Sequence, residues 1–201
     1  MNDAKMLTVI DGPMLAAAFP VQHQPAAMLA GLEAARLLAP QQWTERFAVR
    51  VESETVLIPA RLRFASQRLA LTESDEAWCF ARALQTRSND GFERQRATRD
   101  LLKDLRPWAA PFVVALIGEY IVEILEDISA AMTPEVERTV GGFITHNAAF
   151  WNTTKCRMTS YWNVYYRSNR SSECRRAWAR DEYVGFELVD RLEAAAYGTS
   201  N

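Results

Sequence analysis

The sequence predicts a mainly α-helical fold of five to seven helices with one small β-hairpin near residues 47–58. Helix start and stop signals recur along the chain, from Pro25 and Pro40 through Asp90, Pro111 and Thr133-Pro134 to Asn147. Strict apolar and polar alternation, the mark of a strand, is confined to residues 47–58. The 201 residues are 49% hydrophobic and 24% charged, proportions of a folded globular protein rather than a disordered or fibrous one. That length suits a single domain, divided here into an N-terminal arm over 1–45 and a helical domain over 46–201 that includes the hairpin at its start.

Taken in order, residues 26–38 are the best helix of the arm, since they hold few β-branched residues and lie between two prolines. The segment around His23 reads as a loop or extended arm. Phe47, Val49 and Val51 alternate with Ala48, Arg50 and Glu52, and after Ser53-Glu54 the run Thr55-Val56-Leu57-Ile58 completes a hairpin that Pro59 ends. Thr72 opens T-x-x-D before a helix over 73–86, and Asp90 with Glu93 caps a second over 92–105. At about 100° per residue the second helix groups Ala97, Thr98, Leu101, Leu102 and Leu105 opposite Arg96, Arg99, Lys103 and Arg106. Arg94 falls inside the apolar arc, where its charge must snorkel or find an acid.

Residues 111–131 read as one long helix burying Val113, Ile117, Tyr120, Ile121, Ile124 and Ile128, with Glu119, Glu123 and Glu126 on the opposite side. A further helix is expected over 135–144. Asn147 looks like the N-cap of a last long helix over 148–167, residues 168–182 have the composition of a mobile loop, and 184–196 supply a short closing helix. Antiparallel helix pairs with short loops, proline-started helices and an arginine set into an apolar face resemble a short stack of HEAT-type repeats over residues 72–167. The resemblance is one of architecture, without a diagnostic motif or a fixed repeat period. A helical bundle is the other arrangement consistent with the pattern.

Charge and motifs exclude several functions. The net charge of −2 does not suit a protein built as a whole to bind a polyanion, but its distribution alternates: 0 over 1–50, −1 over 51–86, +2 over 87–106, −5 over 107–149, +6 over 150–180 and −4 over 181–201. The most apolar run, 108–128, carries Glu119, Glu123, Glu126 and Asp127, so no membrane span is expected. Asp11, Gly12 and Pro13 interrupt the first apolar stretch, which argues against Sec-type secretion. Cys79, Cys156 and Cys174 form no CxxC pair or disulfide framework, and a reducing cytoplasm is the expected compartment. There is no GxGxxG, GxxxxGK[ST], GxSxG or HExxH.

Four groups of residues are candidates for chemistry. Between Phe150 and Arg180 seven aromatic and seven basic residues accompany a single acid, Glu173. On a helical wheel Phe150, Trp151, Thr154, Met158, Tyr161, Trp162 and Tyr165 share one arc and are expected to be core, which leaves Tyr166 and Trp178 off that face and Arg167, Arg170, Arg175, Arg176 and Arg180 in a basic loop. Second, Arg96, Arg99, Lys103 and Arg106 form a basic stripe. Third, Glu119, Glu123, Glu126 and Asp127 form an acidic face. It lacks the Glu-x-x-His motif of a bundle di-metal site, and its acids are expected to be solvated or paired with arginines, Arg94 above all. Fourth, the turn Arg87-Ser88-Asn89-Asp90-Gly91-Phe92 leads into a helix N-terminus that could hold an anion, although Asp90 would cap it and repel one. Cys156 and His146 do not share a helix face, and Cys79 between Trp78 and Phe80 is expected to be a buried, inert thiol.

No catalytic residue, metal site or cofactor is predicted. The expected function is a non-enzymatic interaction or scaffold protein whose alternating charge blocks meet another protein. The alternatives are a nucleic-acid-binding regulator using the loop over 167–180, and an enzyme on an anionic small molecule with arginine clamps and Glu119 or Glu123 as base. Nothing in the sequence specifies the oligomeric state.

Overall fold

The computed structural model describes residues 10–40, 42, 44–66, 68–167 and 177–198. Among these the fold is mainly α-helical with a small antiparallel hairpin, as the sequence predicts. The helices are α1 (Gly12–Ala16), α2 (Gln24–Leu37), α3 (Glu76–Gln85), α4 (Gly91–Leu102), α5 (Ala110–Ile117), α6 (Val122–Ala130), α7 (Pro134–His146), α8 (Ala148–Tyr161) and α9 (Val184–Tyr197). Strands β1 (Arg46–Val51) and β2 (Glu54–Pro59) pair in register from Arg46 with Pro59 to Val51 with Glu54.

Residues before the hairpin pack into the same core as the rest. Phe19 lies between the rings of Phe80, Trp108 and Phe112, at centroid distances of 5.0, 5.5 and 5.3 Å. α1 and α2 approach so closely that a Cβ on Gly31 would stand 2.4 Å from the Gly12 carbonyl oxygen, which only a glycine permits. Helices α1 to α4 pack each on the next, whereas α9 returns to lie against α7 and α6.

The hairpin turn is Glu52-Ser53, both with positive φ (49° and 71°), the backbone that matches strand twist in a two-residue turn and that Asn or Gly usually supplies. Glu52 is held from outside by His23 at 2.9 Å. Asn147 anchors the same end of β1 from the helical side. It is not the side-chain cap the sequence suggests: its Nδ2 donates to the carbonyls of Arg50 and Phe143, at 2.8 and 2.9 Å, and its Oδ1 accepts from the Arg50 N–H at 2.7 Å. By contrast Asp90 caps α4 as expected, accepting from the amides of Phe92 and Glu93.

Two departures from the predicted helices matter most. The helix expected over 111–131 is broken at residues 118–121 into α5 and α6, and the last turn of the helix expected over 148–167 is a π turn over Trp162–Tyr166, closed by the Arg167 amide on the Trp162 carbonyl at 2.8 Å.

Candidate functional site

Each of these irregularities exchanges the places of two neighbouring residues. An unbroken helix over 111–131 would bury Tyr120 and expose Glu119. With α5 ending at Gly118, Glu119 turns inward, 5% exposed, and Tyr120 turns outward, 46% exposed. A π turn advances each residue by less than the roughly 100° of an α-helix. From Trp162 onward that deficit swings Tyr166 onto the buried face, 5% exposed, and moves Tyr165 off it, 53% exposed. Periodicity assigns Tyr120, Tyr161 and Tyr165 to the core and Tyr166 to the surface. The structure corrects three of these: Tyr166 is core, Tyr120 and Tyr165 are exposed, and Tyr161 is half-buried.

The two exposed tyrosines meet. Tyr120 lies 5.7 Å from Tyr165 and 5.8 Å from Tyr161, and Tyr161 lies 6.0 Å from Tyr165, centroid to centroid. Tyr166 links the irregularities from beneath by donating its hydroxyl to the Tyr120 carbonyl, in the break between α5 and α6. Beside the rings runs a groove of about 290 Å³ lined by Gly91, Phe92, Gln95, Tyr120, Ile121, Glu123 and Tyr166. Phe92, at the first turn of α4, is 79% exposed, more than any other large hydrophobic residue among those described. The result is a face of four aromatic side chains: Phe92 on α4, Tyr120 in the break between α5 and α6, Tyr161 at the end of α8 and Tyr165 in the π turn.

Directly behind it lies a buried ionic cluster. Glu119 is approached by Arg94 Nε at 2.8 Å, by Arg61 Nη2 at 3.0 Å and by Arg87 Nη2 at 3.4 Å. The Ser88 carbonyl accepts from Arg94 Nη1 at 2.7 Å and Arg61 Nη1 at 3.2 Å, and the carbonyls of Pro59 and Ala60 accept from Arg87. Arg94, which the helical wheel sets in an apolar arc, thus finds its acid in Glu119. Burial lowers Arg87 to a pKa of about 10, against the pull of Glu119 and helped by the neighbouring Arg61 and Arg94.

The basic stripe is not a free positive surface. Arg96 pairs with Glu93, Arg99 with Asp127 and Lys103 with Asp100, all at 2.8 Å, and Arg106 with Asp104 at 2.6 Å. The sequence hides this because the acids lie three or two positions away along α4 and its end, or on α6. Of the acidic face, Glu119 and Asp127 are paired with arginines, while Glu123 and Glu126 are exposed. Arg167 stacks over the Trp162 ring at 5.7 Å and Arg180 over Phe186 at 4.3 Å. Arg170, Arg175 and Arg176 lie outside the described residues, as does Cys174.

A second groove, of about 480 Å³, holds His23, Cys79 and Asp104 among others. Cys79 is exposed rather than buried as the sequence predicts, yet partial desolvation and the nearby Asp104 raise its thiol above the usual range, the opposite of what a nucleophile needs. Among the described residues no group of three or more His, Cys, Asp or Glu side chains could hold a metal ion, and no helix is long and apolar enough to cross a membrane. Compared with protein-family models, with curated proteins and with solved structures, the chain gives no match.

Proposed function

We propose that the chain is a non-enzymatic protein-binding module whose docking surface is the aromatic face of Phe92, Tyr120, Tyr161 and Tyr165. The observation that carries this reading is the convergence of two helix irregularities on one exposed set of rings. Leaving Tyr120 exposed at the break forgoes about 1.5–3 kcal/mol of side-chain burial and turns the Glu119 carboxylate inward in its place, whereas the π turn exchanges Tyr165 for Tyr166 on the buried face. A break and a π turn that meet at one place override local helix periodicity there, as happens at functional sites. Exposed tyrosines and phenylalanine suit a contact surface because they offer large rigid area with few rotatable bonds. Glu123 at the groove favours a partner that brings an apolar side chain flanked by a cation.

The alternatives have less support. A nucleic acid would have to displace the carboxylate partner of every stripe cation, and an enzyme using Glu119 as base would have to free it from three arginines.

The double variant Phe92→Ser/Tyr165→Ser tests the surface, because both side chains are more than half exposed and their loss leaves the core intact. Quantitative affinity capture from native cells should show partners that bind the wild type, are retained by the control Leu29→Ser on the exposed side of α2, and are depleted at least about tenfold by the double variant, the scale of a hot-spot aromatic. An identical capture profile for all three proteins would remove the aromatic face as the docking surface.

A further inference from the structure

Between the turn end of the hairpin and α7 lies an open groove of about 390 Å³ that takes no part in the aromatic face. Its volume is within the ordinary size of a small-molecule pocket. Helical spacing builds the α7 wall: Arg138, Gly142 and His146 recur every four residues with Phe143 beside them, so they share one face. The opposite wall is the end of β1, where Arg50 and Val51 lead into the turn.

Both walls are fixed before any ligand arrives. Asn147, the residue after α7, accepts from the Arg50 N–H at 2.7 Å and donates to the Arg50 carbonyl at 2.8 Å, which ties the strand to the helix end. Glu52, the only acid among the lining residues, is engaged by His23 at 2.9 Å and by Gln22. Val51 and Phe143, 4% and 7% exposed, give the groove apolar surface together with Pro107. A helix interior disfavours glycine relative to alanine. Packing explains Gly141, where a Cβ would stand 2.9 Å from the Ala195 backbone, but not Gly142, where a Cβ would meet nothing within 4 Å. The missing side chain at Gly142 keeps the groove open.

The cations of this groove are free. Arg50 and Arg138 are exposed, and among the described residues neither side chain has a carboxylate or a hydrogen-bond partner. Every cation of the stripe on α4 and its end, by contrast, holds one. Counting Arg50, Arg138 and Glu52, the groove carries one positive charge in excess.

We propose that this groove binds a small monocarboxylic acid with an apolar body, the carboxylate held by Arg50 and Arg138 and the body laid against Val51, Phe143 and Pro107. The planar guanidinium fork matches a carboxylate, and these two make the contact without first giving up another. One surplus charge suits one carboxylate better than a dianionic phosphate. Apolar lining rewards a hydrocarbon body that acetate lacks. A groove of this volume takes up a whole small acid, which favours a free acid over the end of a protein chain. The site is separate from the aromatic face and stands or falls without it.

Titration calorimetry of the full chain near neutral pH, with hydrocinnamate as the probe, tests this. Hydrocinnamate is expected to bind saturably and at least about tenfold more tightly than acetate, inorganic phosphate or the neutral hydrocinnamide. A peptide ending in a free phenylalanine carboxylate is expected to bind no more tightly than hydrocinnamate. Arg138→Gln should weaken the probe at least about tenfold, the loss of a charge-assisted contact, while leaving the melting temperature without ligand unchanged. Arg46→Gln removes another exposed cation, at the far end of β1 and outside the groove, and should leave binding as it is. Absence of saturable hydrocinnamate binding, any of the three analogues bound as tightly, tighter binding of the peptide, or equal affinities in the two arginine variants would each overturn the assignment.

Discussion

Glu119→Ala is expected to lower the free energy of unfolding by about 3–5 kcal/mol, the range found when one partner of a buried ion pair is removed. The size follows from what stays behind. Arg87 and Arg94 are almost fully buried, and with Glu119 gone their charges have no acid within reach and only the carbonyls of Pro59, Ala60 and Ser88 as acceptors. Urea denaturation followed by circular dichroism measures the loss. Glu123→Ala, four residues on and exposed, is the matched control and should change stability by no more than about 0.5 kcal/mol. Similar small losses for both variants would mean that Glu119 is not the counter-charge of the cluster.

Trp151→Ala should have a comparable effect, about 3–5 kcal/mol, as the truncation of a large buried aromatic. Trp151 is 1% exposed, the largest of the fully buried side chains, and its indole N–H donates to Glu193 at 3.2 Å. Thermal or urea unfolding should therefore show the full cost of a cavity left in the core at α8. The same substitution bears on the dense aromatic and basic segment from Phe150 to Arg180: a stable Trp151→Ala protein would contradict the assignment of its first half to the core.

Which parts of the molecule are legible in the sequence depends on whether regular periodicity survives. Helices α2, α4 and α7 fall close to their predicted places because prolines or the side-chain caps Asp90 and Thr133 bound them, α3 and α9 do so without a side-chain cap, and the hairpin does so because alternation is local. Arg94 is the most informative success, since a cation inside an apolar arc demands an acid and Glu119 supplies it. The other two arginines of the cluster come from places no wheel connects: Arg61 from the chain after β2 and Arg87 from the turn between α3 and α4. Their approach to Glu119 is a product of tertiary packing alone.

The aromatic face escapes the sequence for a related reason. A wheel at constant pitch has no means of registering a break or a π turn, so it places Tyr120 and Tyr165 in the core. For the break there was a signal: Gly118 stands where its position presses against Thr154 of α8, and a Cβ there would lie 3.3 Å from the Thr154 side chain and carbonyl. For the π turn the run Trp162-Asn163-Val164-Tyr165-Tyr166 carries no comparable mark. Packing chooses Tyr166 over Tyr165 because its hydroxyl reaches the Tyr120 carbonyl while its ring lies 5.2 Å from Tyr183.

The proposed docking of another protein on this face is read out by hydrogen exchange of the chain, alone and with a captured partner. Slowed exchange over residues 91–95, 118–123 and 160–167 is the predicted outcome. Protection confined to other surfaces, such as the exposed side of α2 or the outer side of α9, with these three segments unchanged, would contradict it.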